Sequence, residues 1–329
     1  MLLLFETIFC GVFYLMLSTT IGKSVTRQLD KWVLYSMNRR VPDSLEKSYH
    51  HTPTFETILQ ATTVNRAKTA EYSLSAPGEH DIWLNTPGGE LLCHARVRPA
   101  VDPQAPLLLY HHGFNEVPYT NSWRRLFSDT LPTSAHCVCV QAPFHSNWLE
   151  PMTRGFASLQ SVYQIFAGSL RIMELLQSHF ERQGAAYTVL AGVSWGGITS
   201  VLYQGVFHQA RAVVPMLSSP NLAQVMWDIA ELFNRPLSVS RPELQELLDF
   251  TPYYECCNAE RIFPLLAEND LFFRMEKHSA VFDEETLVTI PESHISAFWR
   301  VEALRQHVGD VLAWAESQAS SSILTNCLS

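Results

Sequence analysis

Gly192-Val193-Ser194-Trp195-Gly196 sets a serine between two glycines, after an apolar β-branched run and before a helix-like one. A strand that enters such a pentapeptide and a helix that leaves it force a sharp reversal at the serine, with strained backbone. The residues two before and two after the serine then come too close to carry side chains. The reversal lifts Ser194 Oγ off the sheet edge, beside the positive end of the new helix. A serine hydroxyl is a poor nucleophile at neutral pH and needs a general base within hydrogen-bond reach. His294 follows a strand-like run ending at Ile290 and precedes the last helical segment, so it fits. A third group must hold the imidazole tautomer and stabilise the imidazolium. Asp270, in Ala267-Glu268-Asn269-Asp270, is placed for this after the strand ending at Ala267, with Glu268 as its rival. Two backbone amides must meet the oxyanion of a tetrahedral intermediate. The amide of Trp195 is one, and His112-Gly113-Phe114 supplies that of Phe114 as the other. Serine, acid and base in this chain order make an acyl-transfer site.

Other reactive residues carry weaker signals. His111 and His112 have no third ligand nearby and read as structural, so neither a metal nor any other cofactor is expected. His145 ends a strand and faces either the pocket or its own loop. Trp148 and Trp227 join it as candidate substrate contacts. With Trp195, Phe114, Met226, Phe233, Leu271 and Phe272 they could line an apolar acyl pocket, about half of them touching substrate. Glu116 and Arg154 read as surface or scaffold residues. Seven cysteines, with no metal-ligand spacing and Cys93, Cys137 and Cys139 in strand-like runs, indicate neither a disulfide framework nor a zinc site.

Positioning these groups takes strand-end loops. A hairpin pairs 81–84 with 91–97 around Pro87-Gly88-Gly89. Strands follow at 106–111, 135–140, 187–191, 212–216, 262–267 and 286–290. Helical patterns lie at 123–130, 158–182, 222–233, 242–250 and 297–316. Such alternation predicts a mainly parallel sheet flanked by helices, with the working groups at the carboxyl ends of the strands.

Composition excludes little but bounds the partners. The chain has 329 residues, 47% hydrophobic, with a formal net charge of −9 and no long basic run, which argues against nucleic acid. Residues 1–22 are apolar apart from Glu6 and a few hydroxyl residues. The uncharged run at 7–22 covers 16 positions, short of the ~20 of a comfortable membrane helix. This segment, chiefly 1–21, reads as a membrane anchor or as an apolar helix lying on the domain. Lys23, Arg27, Lys31, Arg39 and Arg40 follow it, so an anchor would hold the rest on the cytoplasmic side, in agreement with cytoplasmic cysteine usage. Residues 23–70 read as helical lead-in with no chemistry of their own, and 317–329 as a flexible tail.

The order of hairpin, His-Gly loop, G-x-S-x-G elbow, helical insertion, Asp loop and His loop resembles the α/β-hydrolase superfamily over residues 71–316. The resemblance implies that fold, with Ser194 as nucleophile, Asp270 as acid, His294 as base, Phe114 and Trp195 as oxyanion amides, and residues 218–258 as a cap over the pocket. Many members have glycine beside the catalytic histidine, where this chain has Glu292-Ser293. The activity so implied is cleavage of a carboxylic ester or thioester, with a small-molecule or lipid acyl substrate. An acyltransferase or amidase on the same fold is the alternative within enzymes. A non-catalytic membrane-associated binding module is the alternative outside them.

Overall fold

The computed structural model describes residues 20–127 and 134–327, and the side chains of 25–127 and 134–319. The first described elements are helices α1 (Thr20–Asn38), α2 (Asp43–Lys47) and α3 (Phe55–Ala61), then a short strand β1 (Thr63–Val64). The hairpin β2 (Gly78–Thr86) and β3 (Gly89–Arg98) turns at Gly89, whose φ of 110° suits glycine. Next come β4 (Leu107–His111), α4 (Asn121–Leu126) and β5 (His136–Val140), then a π-helical turn at Pro151–Gly155 and α5 (Leu159–Arg182). The Ser158 side chain caps α5 by accepting from the Ser161 amide. Strand β6 (Thr188–Val193) runs into α6 (Trp195–Phe207), followed by β7 (Ala212–Met216). Helices α7 (Leu222–Leu232), α8 (Arg241–Leu248) and α9 (Thr251–Glu255) separate β7 from β8 (Leu265–Ala267). The rest is α10 (Met275–His278), β9 (Val288–Ile290), α11 (His294–Ala297) and α12 (Val301–Cys327).

Among the described residues, nine strands form one sheet in the order β1-β2-β3-β5-β4-β6-β7-β8-β9, antiparallel from β1 to β5 and parallel from β5 to β9. Every residue of β4, β5, β6 and β7 is buried. Strands covered on both faces read as unbroken apolar runs, which is why the sequence pattern finds them. One core, on the face of α5 and α6, also takes in residues of α1 to α3. The other packs α4 and α12 on the opposite face. The chain leaves β4 for β5 on one side and returns to β6 on the other. The crevice beyond the carboxyl ends of β4 and β6 is therefore the switch point where such sheets bind ligands. This order, with a hairpin at one edge, is that of the α/β-hydrolase fold.

Four features differ from the sequence pattern. Residues 23–70 are not a separate lead-in: Leu34, Leu45, Tyr49 and Ile58 are at most 2% exposed within the main core, and β1 extends the sheet. The 297–316 helix is two helices, α11 and α12, broken at 298–300. The last helix continues to Cys327, past the point where a flexible tail is expected. Strand 262–267 shortens to Leu265–Ala267, with Ile262 making an isolated bridge to Val213. Among the described residues no helix is long and apolar enough to cross a membrane. The apolar segment 1–22 lies almost wholly outside the described residues.

Candidate active site

Ser194 sits at the β6–α6 junction with φ 55° and ψ −120°, a conformation that non-glycine residues rarely adopt. The two flanking glycines answer to different neighbours. A Cβ on Gly192 would lie 2.1 Å from the carbonyl oxygen of Gly196, within the elbow itself. A Cβ on Gly196 would lie 2.1 Å from the carbonyl oxygen of His111 at the end of β4. The elbow is thus compressed from inside and also pressed against the neighbouring strand.

His294 opens α11. Its Nε2 lies 3.1 Å from Ser194 Oγ and its Nδ1 2.7 Å from Asp270 Oδ2. The carboxylate can only accept, so Nδ1 carries the proton and Nε2 is left to accept from the serine hydroxyl. Asp270 is oriented in turn, because its Oδ1 accepts from the amides of Phe272 (2.6 Å) and Phe273 (2.9 Å). Glu268, the rival acid, is exposed. Phe272 stacks on the imidazole at 4.3 Å between centroids. Burial disfavours the imidazolium. The Asp270 charge and hydrogen bond, with a further contribution from Asp30, outweigh burial and hold His294 above the ordinary histidine value.

The loop after β4 lies against the elbow, since a Cβ on Gly113 would come 3.7 Å from Ser194 Cβ. Among the described residues, the amides of Phe114 and Trp195 donate to no other protein group. Two imidazoles brace this loop. His112 donates from Nδ1 to the Gly113 carbonyl (2.7 Å) and accepts at Nε2 from the Ala142 amide (3.0 Å). His145 donates from Nδ1 to the Pro143 carbonyl (2.8 Å) and accepts at Nε2 from the Asn115 amide (3.2 Å). Both rings are buried and fully engaged. His145 therefore faces its own loop rather than the pocket, which answers the alternative left open by its strand-end position. Burial lowers His145 to about 4 and His112 well below the ordinary value. Glu116, read from sequence as a surface or scaffold residue, is a loop brace as well. Its carboxylate accepts from the Gly113 amide (3.2 Å), the Ser122 amide and the Ser122 hydroxyl. Burial raises its carboxyl to about 7.

A cavity of about 390 Å³ opens on Ser194 and His294. Phe114, Trp195, Met226 and Phe272 line it, together with Val33 and Met37 of α1, Ile198 of α6 and Ile229 of α7. Trp148, Trp227, Phe233 and Leu271 do not. Trp148 is 55% exposed under the Arg40 guanidinium, and the Trp227 indole donates to Glu231. Of the three candidate substrate contacts, His145, Trp148 and Trp227, none reaches the cavity.

One buried carboxylate beside the site has no signal in the sequence. Asp30, on α1, is fully buried and meets both the Asp270 loop and the His294 loop. It belongs to no motif and lies more than two hundred residues from either.

No protein-family model matches the chain, and no curated protein matches it in sequence. Among solved structures the chain is similar to a hyperthermophilic esterase from the archaeon Pyrobaculum calidifontis, at 16% identity and a TM-score of 0.48, over 92% of this chain and 98% of that one. It is also similar to acetyl xylan esterase 1 from a Thermoanaerobacterium species, at 12% identity and a TM-score of 0.47, over 81% and 94% of the two chains. A third similarity is to the acylaminoacyl peptidase of Pyrococcus horikoshii, at 13% identity and a TM-score of 0.44, over 65% and 42%.

Proposed function

We propose that the protein is a serine hydrolase that cleaves a carboxylic ester or thioester through an acyl-enzyme. The observation that carries this is the unbroken line Ser194 Oγ, His294 Nε2, His294 Nδ1, Asp270 Oδ2, at 3.1 and 2.7 Å, at the mouth of an apolar cavity. Ser194 Oγ attacks the carbonyl carbon while its proton passes to His294 Nε2. The oxyanion turns toward the amides of Phe114 and Trp195. The imidazolium, held by Asp270, returns the proton to the leaving alcohol or thiol as the carbon–oxygen or carbon–sulfur bond breaks. Water then gives a proton to His294 and attacks the acyl-enzyme. Collapse of the second intermediate frees the acid and restores Ser194.

The lining is mainly aliphatic and aromatic, with Glu46, Glu116, Arg125 and Arg235 as its charged members, and it favours an acyl group that is largely apolar. The residues present need no metal or cofactor for these steps. The apolar segment 1–22 is compatible with attachment to the cytoplasmic face of a membrane, from which a lipid acyl substrate could be drawn.

Labelling by a fluorophosphonate probe tests the reading, because such a probe reacts with a serine activated by a base and flanked by oxyanion donors. The wild-type chain should label and Ser194→Ala should not. A folded wild type that stays unlabelled would remove the hydrolase reading and leave a binding module. The rate should fall as pH drops through a value above ~6.5, because His294 must be neutral to act and its environment favours the charged form.

A further inference from the structure

Two loops bring the acid and the base together, and one carboxylate from the other end of the chain joins those loops. Asp30 Oδ2 accepts from the amide of Leu271 (3.1 Å), the residue after Asp270, and from the amide of His294 itself (3.0 Å). Its Oδ1 accepts from the amide of Ile295 (2.9 Å) and stands 2.9 Å from Ser293 Oγ. Asp30 is 0% exposed, and Ser293 Oγ is also within reach of the Thr26 carbonyl on the same helix (3.1 Å). Each of its hydrogen-bond partners can donate, so the set suits an acceptor-only carboxylate. Bonds from amides to such a group are stronger than neutral ones.

We propose that Asp30 is a positioning residue of the catalytic site: by accepting from the Leu271, His294 and Ile295 amides at once, it fixes the spacing between Asp270 and His294 and makes α1 part of the catalytic apparatus. The proposal rests on the serine-hydrolase reading above. Asp30 touches neither substrate nor the reacting atoms. It acts through the backbone of the two residues that do. The same helix contributes Val33 and Met37 to the cavity wall, so α1 reaches the site both through the loops and through the pocket.

Electrostatics gives the role a signature that packing alone lacks. The charged groups facing His294 are Asp270, from the loop after β8, and Asp30, from α1. The other neighbours of the ring are Ser194 and the side chains of Phe272, Phe273 and Phe298. His278 of α10 lies beyond Phe273, and Glu292 of the same loop is engaged with Ser296 and Arg300. Asp30 itself is pushed up by burial and by the Asp270 charge, against the pull of His294 and of the amides. Removing its charge takes away one of two anions that favour the imidazolium.

The test compares full-length wild type, Asp30→Asn, Asp30→Glu and Ser293→Ala by the second-order rate of fluorophosphonate labelling from pH 5 to 9. Circular dichroism confirms that each is folded. Asp30→Asn should label about 100-fold more slowly, as expected when reacting groups shift by about 1 Å, and its acid limb should move to lower pH. Asp30→Glu keeps the charge and should return the limb to the wild-type position. A merely structural residue would lower the rate or the melting temperature without moving the limb. Folded Asp30→Asn with the wild-type rate and limb would overturn the proposal. If neither Asp30 variant folds, Ser293→Ala decides, since it removes one partner and leaves the carboxylate. Because Ser293 also caps α11, a lower rate alone is not enough. A lower rate with the acid limb moved to lower pH, as expected when one fewer donor holds Asp30 ionised, supports the role. A wild-type rate or an unmoved limb overturns it. An unlabelled wild type would instead defeat the underlying hydrolase reading, an outcome separate from all of these.

Discussion

At the scale of single residues, Asp270 carries the sharpest prediction, because both of its oxygens are committed. Oδ1 must accept from two amides, so in Asp270→Asn the carbonyl oxygen takes that place and the amide nitrogen turns to His294 Nδ1. That nitrogen can only donate, which moves the imidazole proton to Nε2 and leaves nothing to accept from Ser194. Steady-state kinetics on p-nitrophenyl esters should show kcat lowered by about 10⁴-fold with KM little changed, the size of effect such a tautomer reversal produces. Glu268→Gln, on an exposed side chain, should leave kcat and KM at wild-type values. That Ser194, Asp270 and His294 come within hydrogen-bond reach of one another was legible, because each needs only a residue type in a particular strand-end loop. The misplaced contacts show where that ends. Position on the chain puts His145 and Trp148 in a loop beside the site, but not which way a ring turns, and both turn elsewhere. Asp30 was not legible at all. Its contacts with the two loops span 241 and 264 positions, and nothing local marks it.

At the scale of elements, the loop after β4 owes its shape to buried imidazoles, and that makes it sensitive to acid. His111, His112 and His145 are buried and neutral, with His111 lowered to about 3, His145 to about 4 and His112 well below its ordinary value, all mainly by burial. In the unfolded chain each would take a proton near pH ~6.5. Between there and about pH 4 the unfolded state binds more protons than the folded one, so stability falls as pH falls. Each ring contributes at most about 1.4 kcal/mol per pH unit over that window. Glu116, raised to about 7, works in the opposite direction, since it favours the fold at low pH and loses that advantage as pH rises through its folded value. One carboxylate against three imidazoles leaves a net loss on acidification. Melting curves should therefore show a lower Tm at pH 5 than at pH 7, and a flat profile would contradict the assignment of neutral rings. Among the elements, the long apolar strands were readable and β1 was not, because two residues carry no periodicity. The break between α11 and α12 was hidden for a related reason. The Ser293 side chain caps α11 by accepting from the Ser296 amide, but an apolar pattern running on through 298–300 reads as one helix.

At the scale of the whole molecule, the sequence suggests a catalytic domain that starts near Glu71, while the structure builds the site with help from residues 25–64. Leu34, Leu45, Tyr49, Phe55 and Ile58 are all at most 4% exposed in the core that also holds α5 and α6. Burial of an apolar side chain of this size contributes roughly 1.5–3 kcal/mol. Five of them together supply on the order of 10 kcal/mol, comparable with the whole stability of a typical domain. Removing the segment also strips β1 from the sheet edge and takes from Arg171 its two backbone acceptors, the carbonyls of Leu59 and Thr62. It deletes Asp30 and opens the cavity wall at Val33 and Met37. A chain beginning at Glu71 should therefore be insoluble or molten, with weak near-ultraviolet dichroism and no fluorophosphonate labelling. A chain beginning at Thr20 keeps every one of these contacts and should fold and label as the full-length protein does. Full labelling of the Glu71 chain would mean that the α/β sheet and its three catalytic residues are self-sufficient, with α1 only a cover. Labelling that survives in the Thr20 chain and vanishes in the Glu71 chain would place the functional boundary of the fold between residues 20 and 71, in the segment that holds α1 to α3 and β1.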